Sequence, residues 1–232
     1  MSAEAGVVPG WLQPLATAIR DVSARDLTSF VPPAGTEVRK ASVLMLFGGD
    51  DSHQDSRHVL LLERAHDMRS HAGQIAFPGG AQDVGDADEV ATALREAQEE
   101  TGLDPAGVEV VATLPSLWLP PSNFEVTPVV AWWRTPSPVS AADPAETASV
   151  HTVALSVLLD PANRVTMRHP SGYRGPAFLV GDLVVWGFTA GLLSRLFTIV
   201  GWEQPWDASR VRDLPPELLP RSADPQQENV GP

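Results

Sequence analysis

The sequence predicts an α/β or α+β sandwich. Short apolar runs of strand length are bounded by Gly, Pro and Asp, two longer segments with helical periodicity interrupt them, and no internal repeat is present. Length and composition agree, since 232 residues with 43% hydrophobic and 19% charged side chains can bury a sizeable core, as one domain with extensions or as two small ones.

Residues 10–30 place Trp11, Leu12, Leu15, Ala18, Ile19 and Val22 at helical spacing, with Arg20, Asp21 and Arg25 between them and Pro32-Pro33 as a stop. An N-terminal helix packed on a core is expected there. Residues 41–47 and 58–62 are apolar runs on either side of Gly48-Gly49-Asp50-Asp51, which reads as two strands around a turn. Further strands are expected at 108–114, 126–133, 150–155 and 183–186. One helix is expected over 88–101, with Asp88 as N-cap and Gly102 as its stop, and another over 189–200, capped by Thr189 and ended by Gly201. Residues 135–149, rich in Pro, Ser and Ala, read as a loop, and 213–232, with five prolines and few large apolar side chains, read as a mobile tail. The expected organisation is a helical extension over 1–37, a main domain over 38–203 and a proline-rich tail over 204–232.

Charge and cysteine content narrow the function. Sixteen Lys+Arg against 29 Asp+Glu give a net charge of −13, which repels a nucleic acid backbone and obliges any phosphate-handling site to use local arginines or a bound cation. The absence of cysteine excludes disulfides and thiolate chemistry and suits a reducing compartment. Met1-Ser2-Ala3-Glu4 lacks the basic and apolar regions of a secretory signal, so a cytoplasmic protein is expected. The apolar stretch 183–194 is bounded by Asp182 and Arg195, short of the ~20 residues that span a bilayer, and reads as core.

The chemistry concentrates in the helix over 88–101. At about 100° per residue, Arg95, Glu99, Glu96 and Glu100 fall on one face, while Ala93, Ala97, Val90, Thr101 and Leu94 fill the other. Glu96 and Glu100 are like charges at i,i+4, and Glu96 and Glu99 at i,i+3, opposed only by Arg95. Three carboxylates without thiolate or imidazole make a hard-oxygen set suited to Mg²⁺ or Mn²⁺. From spacing alone, such a metal site and a solvated acidic face are equal readings.

The run Arg95-Glu96-Ala97-Gln98-Glu99-Glu100-Thr101-Gly102-Leu103 resembles the second half of the Nudix hydrolase signature G-x(5)-E-x(7)-R-E-U-x-E-E-x-G-U at every fixed position. The first half departs from it. Asp86 stands where Glu is expected from Gly80, and the gap to Arg95 is eight residues instead of seven, so either Asp83 or Asp86 replaces that glutamate. A second run, Arg64-Ala65, Arg69, Gly73 and Phe77-Pro78-Gly79-Gly80, is similar to the signature of the coenzyme A pyrophosphatase branch, with Leu62 in place of its usual threonine. Residues 121–128 and 186–190 resemble later family blocks, so the likeness covers about residues 38–203.

The resemblance implies an α/β/α sandwich with a mixed β-sheet and metal-dependent hydrolysis of a pyrophosphate bond. Coenzyme A or an acyl derivative would be the substrate, giving 3′,5′-ADP and 4′-phosphopantetheine or its acylated form. Glu96, Glu99 and Glu100 would hold Mg²⁺ or Mn²⁺, Arg95 would orient them, and Arg64 and Arg69 would hold substrate phosphates. Gly79 and Gly80 would let backbone approach the metal and its ligands. Glu146, in the Ala/Pro loop, would serve as base or extra ligand. The expected partner is thus a small nucleotide derivative, with neither nucleic acid nor membrane; self-association as a homodimer stays open. ADP-ribose, a dinucleotide or a nucleoside triphosphate remain alternative substrates, and a Nudix-fold binding module without catalysis is the rival from another class.

Overall fold

The computed structural model describes residues 8–33, 35–66, 71–120 and 122–219. Helices α1 (Gln13–Ala18) and α2 (Ala24–Leu27) come first, then strands β1 (Arg39–Gly48), β2 (His58–Arg64), β3 (Ile75–Ala76) and β4 (Gly79–Ala81). Helix α3 (Glu89–Thr101) precedes β5 (Val108–Thr113), β6 (Leu117–Leu119), β7 (Phe124–Trp133) and β8 (Thr147–Ala154). Helix α4 (Leu155–Leu159), strands β9 (Arg164–Arg168), β10 (Arg174–Val180) and β11 (Leu183–Val185), helix α5 (Gly187–Ile199) and β12 (Val211–Asp213) complete the described chain.

The main sheet runs β3-β2-β1-β7-β5, with β4 on β1, β6 on β7 and β8 on β2. It is mixed, because β1 pairs in parallel with β7 from Arg39↔Phe124 to Phe47↔Trp132, while its partners β2 and β4 are antiparallel. The continuous apolar run in β1 follows from burial on both faces. Leu44 and Leu46 point to α3, where Ala93 and Ala97 pack against them with Val129, Ala131 and Trp133. Met45 and Phe47 point the other way, into a cluster with Leu192, Leu196 and Phe197 of α5 and with Trp11, Leu12 and Leu15. The α/β/α layering thus brackets the sheet, and the small alanines of α3 let that helix lie close to it.

Several expectations need correction. The segment 10–30 is two short helices: Val22 and Ser23 are extended, and a Ser23–Asp26 capping box starts α2 afresh. Thr189 lies inside α5; the N-cap is Trp186, without a side-chain cap bond. The tail expected from residue 204 is built into a second sheet, β11-β10-β9-β12, as far as β12, which pairs in parallel with β9. Side chains of β12 are exposed, so backbone pairing, the Arg168–Asp213 ion pair at 2.6 Å and burial of Leu214 hold it. Residues 220–232 of the expected tail, and Arg69, lie outside the described residues. No helix among the described residues is long and apolar enough to cross a membrane.

Candidate active site

Helix α3 begins where the Asp88 carboxylate accepts the Ala91 amide at 2.8 Å and ends at Gly102, whose left-handed conformation (φ 68°) lets its N–H reach the Gln98 carbonyl. Both caps agree with the spacing of the sequence. With its alanine face fixed on the sheet, the helix turns Arg95, Glu96, Glu99 and Glu100 toward β4 and the loop after it.

Arg95 organises this face. Its Nε and Nη2 donate to the two Asp86 oxygens at 2.9 and 3.0 Å, Nη2 also donates to the Ala81 carbonyl at 3.0 Å, and Nη1 donates to Glu99 Oε2 at 2.9 Å. Glu96 Oε1 lies 3.0 Å from Nη2. Asp86 therefore occupies the place left open between two aspartates. Its side chain is 6% exposed and also accepts from the Thr92 hydroxyl and the Asp83 amide, whereas Asp83 is 73% exposed with an oxygen 3.9 Å from Arg95. The Arg95 hydrogen bond, helped by the Asp83 amide, holds Asp86 well below the usual carboxylate range.

The other glutamates sit deeper. Burial raises Glu96 against the pull of Arg95. Burial pushes Glu100 up to about 7, opposed by the Gly79 amide and the Arg64 charge and reinforced by Glu96 and Glu146. Gly79 N–H donates to Glu100 Oε2 at 2.8 Å, and the Pro78 carbonyl accepts from Leu44 at 2.8 Å, so the Phe77-Pro78-Gly79-Gly80 turn is clamped between α3 and β1. Both glycines are needed for closeness. A Cβ at Gly79 would come within 2.2 Å of the Ser42 carbonyl oxygen, and one at Gly80 within 2.5 Å of the Glu96 carboxylate.

Arg64 ends β2 and is a charge that Glu100 senses; its backbone bonds to Gln74 and Gly73 close the loop that follows. Gly73 (φ 65°) leaves room for the His66 ring, whose Nδ1 would be 2.9 Å from a Cβ there. Glu146 is exposed, its carbonyl accepts the Ala65 amide at 2.9 Å next to Arg64, and its charge adds a minor push on Glu100. The structure thus gathers Arg64, Gly79, Gly80, Arg95, Glu96, Glu99, Glu100 and Glu146. Sequence reasoning missed the Ala81 carbonyl, a backbone acceptor with no residue-type signature.

The three glutamates do not converge as a finished cage. Glu99 is 58% exposed and turned onto Arg95, Glu100 is turned onto the Gly79 amide, and no group of three such side chains among the described residues is arranged to hold a metal ion. The donor set nevertheless fits a hard divalent cation. It is all carboxylate oxygen, and buried Glu100 carries an electrostatic penalty that a cation removes.

Residues 38–171 match the NUDIX domain family. The chain belongs to the Nudix family. This Nudix chain is 41% identical to "Uncharacterized Nudix hydrolase NudL" of Citrobacter koseri over 150 residues, 62% of this chain and 75% of that one. It is 36% identical to "Nudix hydrolase 22, chloroplastic" of Arabidopsis thaliana over 188 residues, 75% of this chain and 59% of the plant protein. Among solved structures, the Nudix hydrolase RenU of M. smegmatis superposes with a TM-score of 0.50 at 20% identity, over 73% of this chain and 89% of that one, which shows a shared fold.

Proposed function

We propose that the protein is a metal-dependent pyrophosphohydrolase that cleaves coenzyme A or an acyl-coenzyme A to 3′,5′-ADP and 4′-phosphopantetheine or its acylated form. Membership of the Nudix family supports a nucleotide-derivative substrate and a divalent cation. One observation carries the narrower reading: Arg64, which opens the Arg64-Ala65 to Gly79-Gly80 motif, stands close enough to Glu100 to oppose its rise in pKa. A fixed cation in a chain of net charge −13 is thereby set beside the glutamate helix, where the phosphates of an anionic substrate need one.

Glu96, Glu99 and Glu100 would hold Mg²⁺ or Mn²⁺, and the chemistry such an ion would supply is neutralisation of phosphate charge and acidification of a water. Arg95, anchored on Asp86 and the Ala81 carbonyl, fixes the rotamers of Glu96 and Glu99. Arg64, joined by Arg69, binds the pyrophosphate oxygens. The Glu146 carboxylate takes a proton from the attacking water as its oxygen adds in line to phosphorus and the phosphoanhydride P–O bond breaks, with no covalent enzyme intermediate.

The test is product analysis after incubation with coenzyme A, ADP-ribose and nucleoside triphosphates in Mg²⁺ or Mn²⁺. The expected result is 3′,5′-ADP from coenzyme A at the highest kcat/KM. Preference for ADP-ribose or a triphosphate would overturn the substrate, and hydrolysis of none would leave a binding module.

A further inference from the structure

Where the N-terminal segment, the loop before β2, α4 and the chain after α5 meet, the surface forms a half-open cavity of about 160 Å³. It lies at the start of β2, and the glutamate site lies beyond its other end. At about 3.3 Å per residue of strand, roughly 20 Å separate Arg57 from Arg64. Trp11 and Trp202 make one wall, with ring centroids 5.9 Å apart and planes inclined at 32°. Leu155 and Leu159 add apolar lining. The Arg57 guanidinium carbon lies 5.4 Å from the Trp11 ring centroid, and its Nε is buried with no hydrogen-bond partner among the described residues.

Two carboxylates of the segments that form this cavity are engaged elsewhere. Asp51 accepts the amides of Gly10 and Trp11, and Glu203 accepts from Arg164 and Trp206. No acidic side chain lines the cavity, whereas Gln54 and Gln204 bring neutral amide groups to it. Among the described residues that line it, Arg57 is the one charged side chain, set beside an indole wall.

We propose that this cavity binds a small planar aromatic anion, with its ring against the Trp11 and Trp202 indoles and its negative group on Arg57. In size alone the recess has room for one ring, at about 160 Å³ against the ~150 Å³ that holds a benzene. A ring covers apolar lining that a compact inorganic anion leaves wet, and an attached negative group pairs with the Arg57 guanidinium where a neutral ring does not. Because four segments distant in sequence line the cavity, its occupant ties them together and stabilises the fold by mass action.

Titration of the full chain with benzoate, followed by the indole N–H resonances of its seven tryptophans and by thermal melting, tests this. The expected result is saturable shifts at Trp11 and Trp202 with a raised Tm, and binding of the uncharged isostere benzamide weaker by roughly tenfold or more. Arg57→Gln should lose a similar factor, while Glu100→Gln, at the other site, should bind benzoate as the unaltered chain does. If Arg57→Gln fails to fold, the benzoate and benzamide comparison on the unaltered chain decides alone. Absence of saturable shifts at Trp11 and Trp202 up to roughly 10 mM benzoate, or equal binding of benzamide, would overturn the proposal.

Discussion

Glu100 shows what a single residue contributes, because its carboxyl is 6% exposed and pushed up to about 7 from an ordinary 4.5. The folded chain binds this proton more tightly than the unfolded chain does. Stability of the metal-free protein should therefore fall as pH rises from about 4.5 through about 7, by up to about 3 kcal/mol. Urea unfolding in chelator at pH 5 and pH 8 measures this slope. Glu100→Gln should flatten it and leave the fold intact, while turnover in Mg²⁺ drops by roughly a hundredfold or more. An unchanged slope in the variant would refute the assignment. Asp86 has the opposite sign: Arg95 holds it below the usual range, so its contribution is present above the ordinary aspartate pKa of 3.8 and is lost as pH falls further. Asp86→Ala should lower kcat by about 10–100-fold, the range for residues that orient ligands, and Asp83→Ala should leave kcat unchanged. The spacing of the sequence could not separate these two aspartates, because the deciding contacts are the paired Arg95 hydrogen bonds and the Thr92 hydroxyl, which only the folded loop brings to Asp86. The Arg95 to Gly102 run was legible because its side chains act from one regular helix.

At the scale of elements, the turn that leads from β3 into β4 makes neighbouring glycines unequal. An added Cβ at Gly79 would strike the backbone of Ser42 and Val43 in β1, which cannot yield without disturbing the sheet. At Gly80 it would meet the end of the Glu96 side chain, which can swing aside. Gly79→Ala should thus lower Tm markedly, by about 2 kcal/mol or more of stability, and Gly80→Ala should keep Tm near the original while kcat falls; melting curves and turnover on both variants check the contrast. The long strands β1, β2 and β7 and the helix α3 were legible in the sequence, since each is a strong periodic or continuous apolar pattern. Strands β9 and β10 are not legible in the same way. Arg164-Val165-Thr166-Met167-Arg168 alternates, but an arginine begins it, and Arg164 is buried at 1% exposure between the Phe178 and Trp206 rings. A charged residue reads as surface until its partners are known.

For the whole molecule, Arg164 is also a fastening. Its guanidinium donates to Glu203 and Ser194, both at 2.6 Å, and so joins the second sheet to α5 and to the chain beyond it. Glu203→Ala would strand this buried cation and should cost roughly 3–5 kcal/mol, read from urea unfolding, with the KM for substrate unchanged in the surviving folded fraction. The chain beyond residue 203 looked like a tail because its prolines and scattered leucines carry no period. Leu214 is buried and β12 pairs through its backbone, features that composition does not reveal. The parallel pairing of β1 with β7 bears on the order in which the protein is made. These central strands cannot meet until the chain between Gly48 and Phe124 has been closed into a loop, a non-local step of the kind that slows folding. The Gly79–Ala81 strand and the whole of α3 lie inside that loop. On the ribosome, the glutamate helix can settle on β1 and β4, which pair with each other and precede it, before β7 is made, and its alanine face is closed by Val129, Ala131 and Trp133 only once β7 has joined β1.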